Sequence, residues 1–200
     1  SLNLKKNNKM ACTALIHGRG LDCSRISGGI KNIYFAVYDQ ISSFAYDVTL
    51  PAEIDTIDFG SNDIYKYVMP LGVSSLTDTI VGSRENGTIY YTPTVSIILN
   101  KLTTIDQNEV KLLGATKTVI FAELNQTLAN GHNVIAVLGI GNGMQLNAGT
   151  MDSGAAWGDR NGYSLNFDGM EATPFAMLED YTTAPFDNSG ITNLGAIVTS

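Results

Sequence analysis

Apolar and polar positions alternate along Gly162–Asp168, where Tyr163, Leu165 and Phe167 are interleaved with Ser164, Asn166 and Asp168. A period of two is the mark of a strand with one buried face. Gly169 closes the run, and a second segment leads on to Pro174 and Phe175, with Pro174–Leu178 expected to reach toward a neighbouring molecule. Further strands are expected over Asn32–Tyr38 (NIYFAVY), Ser43–Leu50, Glu53–Phe59 and Asp63–Met69, punctuated by Gly28-Gly29, Pro51 and Pro70. Their β-branched and aromatic residues suit a pleated surface. Within Glu53–Phe59 the inward positions are Ile54, Ile57 and Phe59.

The clearest hairpin runs from Val81–Glu85 through Asn86-Gly87 to Thr88–Thr92. Both turn residues tolerate the positive φ of a type I′ turn. The returning strand continues through Pro93 to Leu99, and a proline without an N–H belongs at an edge or a bulge. One helix is predicted, capped by Thr104, with Gln107 completing a capping box and Gly114 ending it. Ile105, Leu112 and Leu113 would share its packing face.

Strand patterns resume at Thr118–Leu124, Asn133–Ile140, Met144–Leu146 and Tyr163–Asp168, with Asn130-Gly131 as a second hairpin turn. Ala148–Gly162 is rich in glycine, holds the single tryptophan Trp157, and reads as an exposed loop of the kind that carries function or is ordered by partners. The chain divides into a leader or arm over residues 1–22, a β domain over 23–180, and a segment over 181–200 that is either an arm docking on a neighbour or one more edge strand. The fold class is mainly β: a β-sandwich or barrel with one flanking α-helix and extended loops or arms.

Composition sharpens this picture. Two hundred residues suit one large all-β domain, and the 44% apolar fraction supports a core without disulfides. Charged residues make up 16% of the chain, well under the usual quarter. Either partners cover part of the surface, or the protein is a β domain rich in Ser, Thr and Asn. The net charge of −7 argues against a nucleic-acid reader, which would show a basic stripe. It leaves room for nucleic acid sliding past an acidic, non-adhesive wall. Lys5, Lys6 and Lys9, in an Asn-rich leader, read as a solvated tail. Cys12 and Cys23 read as reduced thiols before a disulfide. No CxxC occurs, and His17 and His132 lie far apart, so no metal site is expected. The run Ala11–Ile16 is too short and too polar for a signal-peptide core, and no stretch approaches the ~20 apolar residues of a membrane helix.

Catalytic motifs do not carry through. Gly139-Ile-Gly141-Asn-Gly143 follows an apolar strand as a dinucleotide fingerprint would, but Met144 stands where the third glycine belongs and no helix follows. A tight turn is the better reading. The chain lacks GxxxxGK[ST], GxSxG and HExxH. Glu123, Glu171 and Glu179 could in principle pair for glycoside hydrolysis, yet acids on solvated strand faces are routine. Neither an enzyme nor a cofactor is expected. Trp157, Tyr163 and Tyr90/Tyr91 could form a glycan-binding platform, but core or subunit contact suits their alternation with polar residues better.

The block Cys23–Ile41, CSRISGGIKNIYFAVYDQI, resembles the opening of bacteriophage tail tube proteins (major tail proteins). The later order is similar too: a long strand, one helix, a strand bearing Glu123, the GIGNGMQL turn, a Gly/Asp loop and GYSLNFDGMEATPFAML. The resemblance spans most of residues 12–178. It implies a virion structural protein, assembled in the host cytoplasm, whose six-membered rings stack into a tube through which DNA passes. The partners implied are other copies of the chain and other tail proteins, with no membrane. Asn86 and Gly87 on the hairpin, and Trp157, Asp159 and Arg160 in the loop, are the candidate contacts between subunits and rings. A secretion-system tube protein would share this architecture. The alternatives are a capsid decoration or head–tail connector protein and a glycan-binding β-sandwich module.

Overall fold

Three strands read as unbroken apolar runs because the fold buries both of their faces. The computed structural model describes residues 18–21 and 26–199. Its strands are β1 Ile30–Val37, β2 Ser43–Tyr46, β3 Glu53–Val68, β4 Ser75–Ser83, β5 Thr88–Asn100, β6 Thr118–Thr127, β7 Asn133–Leu138, β8 Gln145–Asp152, β9 Gly162–Asp168, β10 Ala176–Leu178 and β11 Ile191–Val198; helix α1 spans Thr104–Ala115. In β1, β6 and β7, residues such as Ile33-Tyr34-Phe35-Ala36 and Val134-Ile135-Ala136-Val137 are buried in succession. Among the described residues the chain is thus mainly β, with two sheets and one α-helix, as its patterning predicts.

β3 is the spine of the larger sheet. Along one edge it pairs with β2 and then β1, which form a single broken strand on either side of a 3₁₀ turn, Tyr38–Gln40. Along the other it pairs in parallel with β10 and then β11. β1 continues to β6, β6 to β7, and β7 to β10, so the path returns to β3 and closes a barrel. A strand this long can serve both ends only if it bends. Gly60 and Ser61, with φ of 60° and 65°, supply the bend, the first at no steric cost. The interior holds Tyr34, Phe59, Phe121 and Phe186 among aliphatic neighbours. The Phe186 ring, from the segment before β11, meets Tyr34 edge-on at a centroid distance of 4.9 Å and Phe121 at 5.3 Å.

The second sheet has the order β4-β5-β9-β8. Its inward residues Val95, Ile97, Tyr163, Leu165 and Phe167 pack on the outside of β1, β6 and β7, with Phe35 and Phe167 rings 5.1 Å apart. The result is a sandwich of one open sheet on a barrel wall, and α1 covers one side through Val110 and Leu113.

Several local expectations are corrected. Glu53–Phe59 and Asp63–Met69 are one strand, because the positive-φ pair bends the chain without ending the ladder. Ile54, Ile57 and Phe59 do face inward; a bulge between Ala45 and Tyr46 shifts the register and lets positions three apart share a face. β2 stops at Tyr46 rather than Leu50. The outgoing hairpin strand starts at Ser75 and ends at Ser83, so the turn is Arg84–Gly87 with only Gly87 at positive φ, not a two-residue type I′ turn. The helix cap is Thr103, whose Oγ1 accepts the Asp106 N–H at 3.0 Å and donates to Asp106 Oδ2. Ile105 and Leu112 are exposed instead of sharing the packing face with Leu113. Much of the expected Ala148–Gly162 loop is strand, leaving residues 153–161 as the loop. Pro174–Leu178 does not reach toward a neighbour, because β10 pairs between β7 and β3 of its own chain and closes the barrel. Of the two readings of the last segment, the edge strand is the one found: a connector carrying Phe186 leads into edge strand β11 on β3. Lys5, Lys6, Lys9, Cys12, His17 and Cys23 lie outside the described residues.

Candidate assembly surface

The outward face of the four-stranded sheet follows from register. Leu76 lies opposite Val95, and Val95 opposite Phe167, all on the core side. The alternate rows then point away from the core: Ser75 with Ser96, Thr77 with Thr94, Thr79 with Thr92, then Ser164, Asn166 and Asp168, then Gln145, Thr150 and Asp152. Ile98 opposite Ser164, Ala148 opposite Asn166 and the Val81–Tyr90 pair nearer the hairpin lie in the same rows. The face is thus mostly hydroxyls and amides with two aspartates and a few apolar positions, and β4, β5, β8 and β9 present no lysine or arginine on it. β4 and β8 end the sheet, each with one strand partner among the described residues. Such edges offer unpaired N–H and C=O groups to another chain. Natural edges are commonly blunted by lysine, proline or bulges; neither lysine nor proline occurs in β4 or β8, and β8 carries a bulge between Leu146 and Ala148.

The candidate contact residues fall into two groups at opposite ends of this sheet. Asn86 and Gly87 sit at the tip of the β4–β5 hairpin, beyond the point where β9 stops at Asp168. Trp157, Asp159 and Arg160 sit in the β8–β9 loop, beside Asn100 at the other end, where Lys101 N–H donates to Asn161 O. The thirteen residues of β5 separate them by ~40 Å at ~3.3 Å per residue. The hairpin carries exposed Ile80, Ile89 and Tyr90. Sequence patterning does not single out Ile80 and Ile89, because isolated apolar positions on an edge look like core positions; Tyr90, expected in the core or at a subunit contact, is exposed.

Each end is locally braced. The Asp159 carboxylate accepts the N–H groups of Ala155 and Ala156 at 3.0 and 2.8 Å, and these bonds, the Ala156 one foremost, hold it below the usual carboxylate range. Asp159 therefore shapes the loop, while the Trp157 side chain stands fully in solvent, 107% exposed. At the hairpin root, Glu171 pairs with Tyr91 through both backbone bonds, and its buried side chain accepts the Asn142 N–H at 2.8 Å. The Gly141 amide lies against the same carboxylate, and a Cβ on Gly141 would collide with it. The glycine turn does cradle an anion, but the anion is this chain's own glutamate. Burial pushes the Glu171 carboxyl up against the lowering pull of those amides, with Asp78 adding a smaller upward push.

The other residues weighed for chemistry are dispersed. Glu123 is buried on β6, accepting from Asn32 Nδ2 at 2.6 Å and Tyr34 Oη at 3.0 Å, and it ion-pairs with Lys31 at 3.4 Å. Burial, followed by the charge of Glu123, raises the Tyr34 phenol. Glu179 accepts from Asn188 Nδ2. His132 stacks on Tyr181 at 4.4 Å and meets Asp180 at 3.0 Å, tying the β6–β7 turn to the segment after β10. The aromatic platform does not form: Tyr163 is fully buried, and Trp157 lies at the opposite end of the sheet from Tyr90 and Tyr91. No group of three or more potential metal ligands occurs among the described residues, and no described helix is long and apolar enough to cross a membrane.

No family model matches the chain, and no curated protein matches it. Among solved structures, a chain from the virion of a native gene transfer agent particle aligns at a TM-score of 0.32 and 7% identity, the match covering 56% of this chain and 88% of that one.

Proposed function

We propose that this protein is a virion structural subunit that assembles with copies of itself into rings, and that the rings stack into a tail tube through which DNA passes. The observation that carries this reading is the four-stranded sheet. It has two edges free of lysine and proline, a mostly hydroxyl- and amide-covered outer face without cations, and projecting elements at both ends. Pairing β4 of one copy with β8 of the next is a heterologous contact, which closes into a ring when the rotation per step divides a full turn. The lining would then be mostly polar and mildly acidic, so DNA would meet no cations to bind phosphate and only scattered apolar side chains. The hairpin at one end and the Trp157 loop at the other provide surfaces for stacking, which also requires two different patches. The role is architectural rather than catalytic, and six copies per ring is the count the tail-tube resemblance implies.

Negative-stain electron microscopy of purified protein over a concentration series tests this. Rings or tubes of uniform diameter are expected. Protein that stays monomeric at millimolar concentration would sink the reading.

A further inference from the structure

The single tryptophan is presented in a way that normal folding does not explain. Trp157 is wholly exposed, yet its loop is tightly organised: Asp159 binds the Ala155 and Ala156 amides, Asp152 binds the Gly154 amide at 2.9 Å, and Gly154 has a φ of 70°. A large aromatic held in advance on a rigid tip loses little freedom on docking, which is the character of an interface anchor. Its neighbour Arg160 is exposed and forms no ion pair with the described residues.

At the other end of the subunit lies a hollow of about 430 Å³ lined by Tyr38, Asp39, Ile41, Ser42, Phe44 and Ile140, within the ~300–1,000 Å³ range of small-ligand sites. Two aromatic rings and two aliphatic side chains suit the faces of an indole, and Asp39 and Ser42 offer acceptors for its N–H. Tyr38 is fixed in place: its Oη donates to Gly141 O, and the Lys117 ammonium lies 5.7 Å from the ring centre. Asp39 is exposed and has no ion-pair partner among the described residues. The hollow sits by the glycine turn and the start of β8; the Trp157 loop begins where β8 ends. The eight residues of β8 span ~25 Å between them. Trp157 therefore cannot reach the hollow of its own chain.

We propose that Trp157 of one copy docks in the Tyr38–Phe44 hollow of a second copy in the next ring, with Arg160 beside Asp39. The contact rests on the stacking reading and names its two halves. Patches at opposite ends of the subunit make the contact head-to-tail and propagating, and the opposite charges of Arg160 and Asp39 set its register.

Because Trp157 is the chain's one tryptophan, its fluorescence reports the contact directly. Assembly of the wild-type chain should shift the emission to the blue and protect it from acrylamide. Trp157→Ala and Phe44→Ala should each leave single rings intact while raising the concentration needed for stacking, roughly 30-fold for the tryptophan. The double variant should be no worse than Trp157→Ala alone, and Arg160→Asp should be rescued by Asp39→Arg. Tubes in which Trp157 stays solvent-exposed would overturn the contact while sparing the tube. So would additive effects of the two truncations, or loss of the rings themselves in Trp157→Ala. A wild-type chain that forms neither rings nor tubes overturns both readings.

Discussion

Glu171 shows how one residue can hold together a region far from it in sequence. Its backbone pairs with Tyr91 at the hairpin root, and its carboxylate fills the concave turn that Gly141 and Asn142 form. Glycine is required at 141 because a side chain would occupy the carboxylate's space. Burial raises the Glu171 carboxyl above its ordinary 4.5, so the folded chain holds that proton more tightly than the unfolded chain does. The stabilisation from the protonated group is complete below the unfolded value and disappears as pH rises through the folded one. Glu171→Gln does not titrate, so its melting temperature relative to wild type should rise between about pH 4 and about pH 7. Thermal unfolding at the two pH values measures this, and a difference independent of pH would mean that Glu171 titrates normally. Asp159 and Asp187 work in the opposite direction. Backbone amides, from Ala156 and Ala184 foremost, hold their carboxyls low, so the loops they organise loosen on acidification.

Among the elements, α1 shows how backbone geometry chooses the cap between two neighbouring threonines. Thr103 and Thr104 both precede the apolar spacing, and either can cap by type. Thr103 does so because its extended backbone, with φ −129° and ψ 154°, points Oγ1 at the Asp106 N–H. Thr103→Ala should cost about 1 kcal/mol and Thr104→Ala under about 0.5 kcal/mol in denaturant unfolding. Equal effects would contradict this assignment. The β4–β5 hairpin follows similar logic. Its four-residue turn needs left-handed backbone only at Gly87, with φ 63°, so Gly87→Ala is strained and Asn86→Ala is tolerated.

For the whole molecule, the low charge content has a location. The outward rows of the four-stranded sheet are mostly Ser, Thr, Asn and Gln with Asp152 and Asp168, beside Val81, Tyr90, Ile98 and Ala148, which gives a broad surface that carries few charges. In a tube lined by this face, cations would change what passes. Placing arginine at Thr94, Ser96 and Asn166 together should make assembled protein retain double-stranded DNA at about 0.1 M salt and release it as salt rises, whereas wild-type assemblies retain none. Co-sedimentation of DNA with tubes reads this out. Equal retention by both would place the face outside the lumen. The substitutions are on an exposed face, so the monomer's melting temperature should barely move.

Local pattern was enough to locate β9 and its buried rows, most strand cores, the single helix and the tight reading of the glycine turn. Alternation and turn residues act over a few positions, and tertiary context did not override them. Strand ends and partners were not legible, because they depend on what lies across the ladder. β3 reads as two strands until β1, β2, β10 and β11 are seen to share its length. Ser75–Leu76 lies outside the expected strands and joins one only because Ser96–Val95 lies opposite. The exposure of Ile80, Ile89, Ile105 and Leu112 is likewise a tertiary result, since an apolar side chain is the same whether it meets a core or a partner. Sequence by itself determined which faces are apolar and which residues can turn the chain, through sterics and the hydrophobic effect within short windows. The tertiary structure alone decided that Glu171 would occupy the glycine turn, that Trp157 would remain uncovered, and that the candidate contacts would lie at opposite ends of one sheet. Each of those depends on groups brought together from distant parts of the chain.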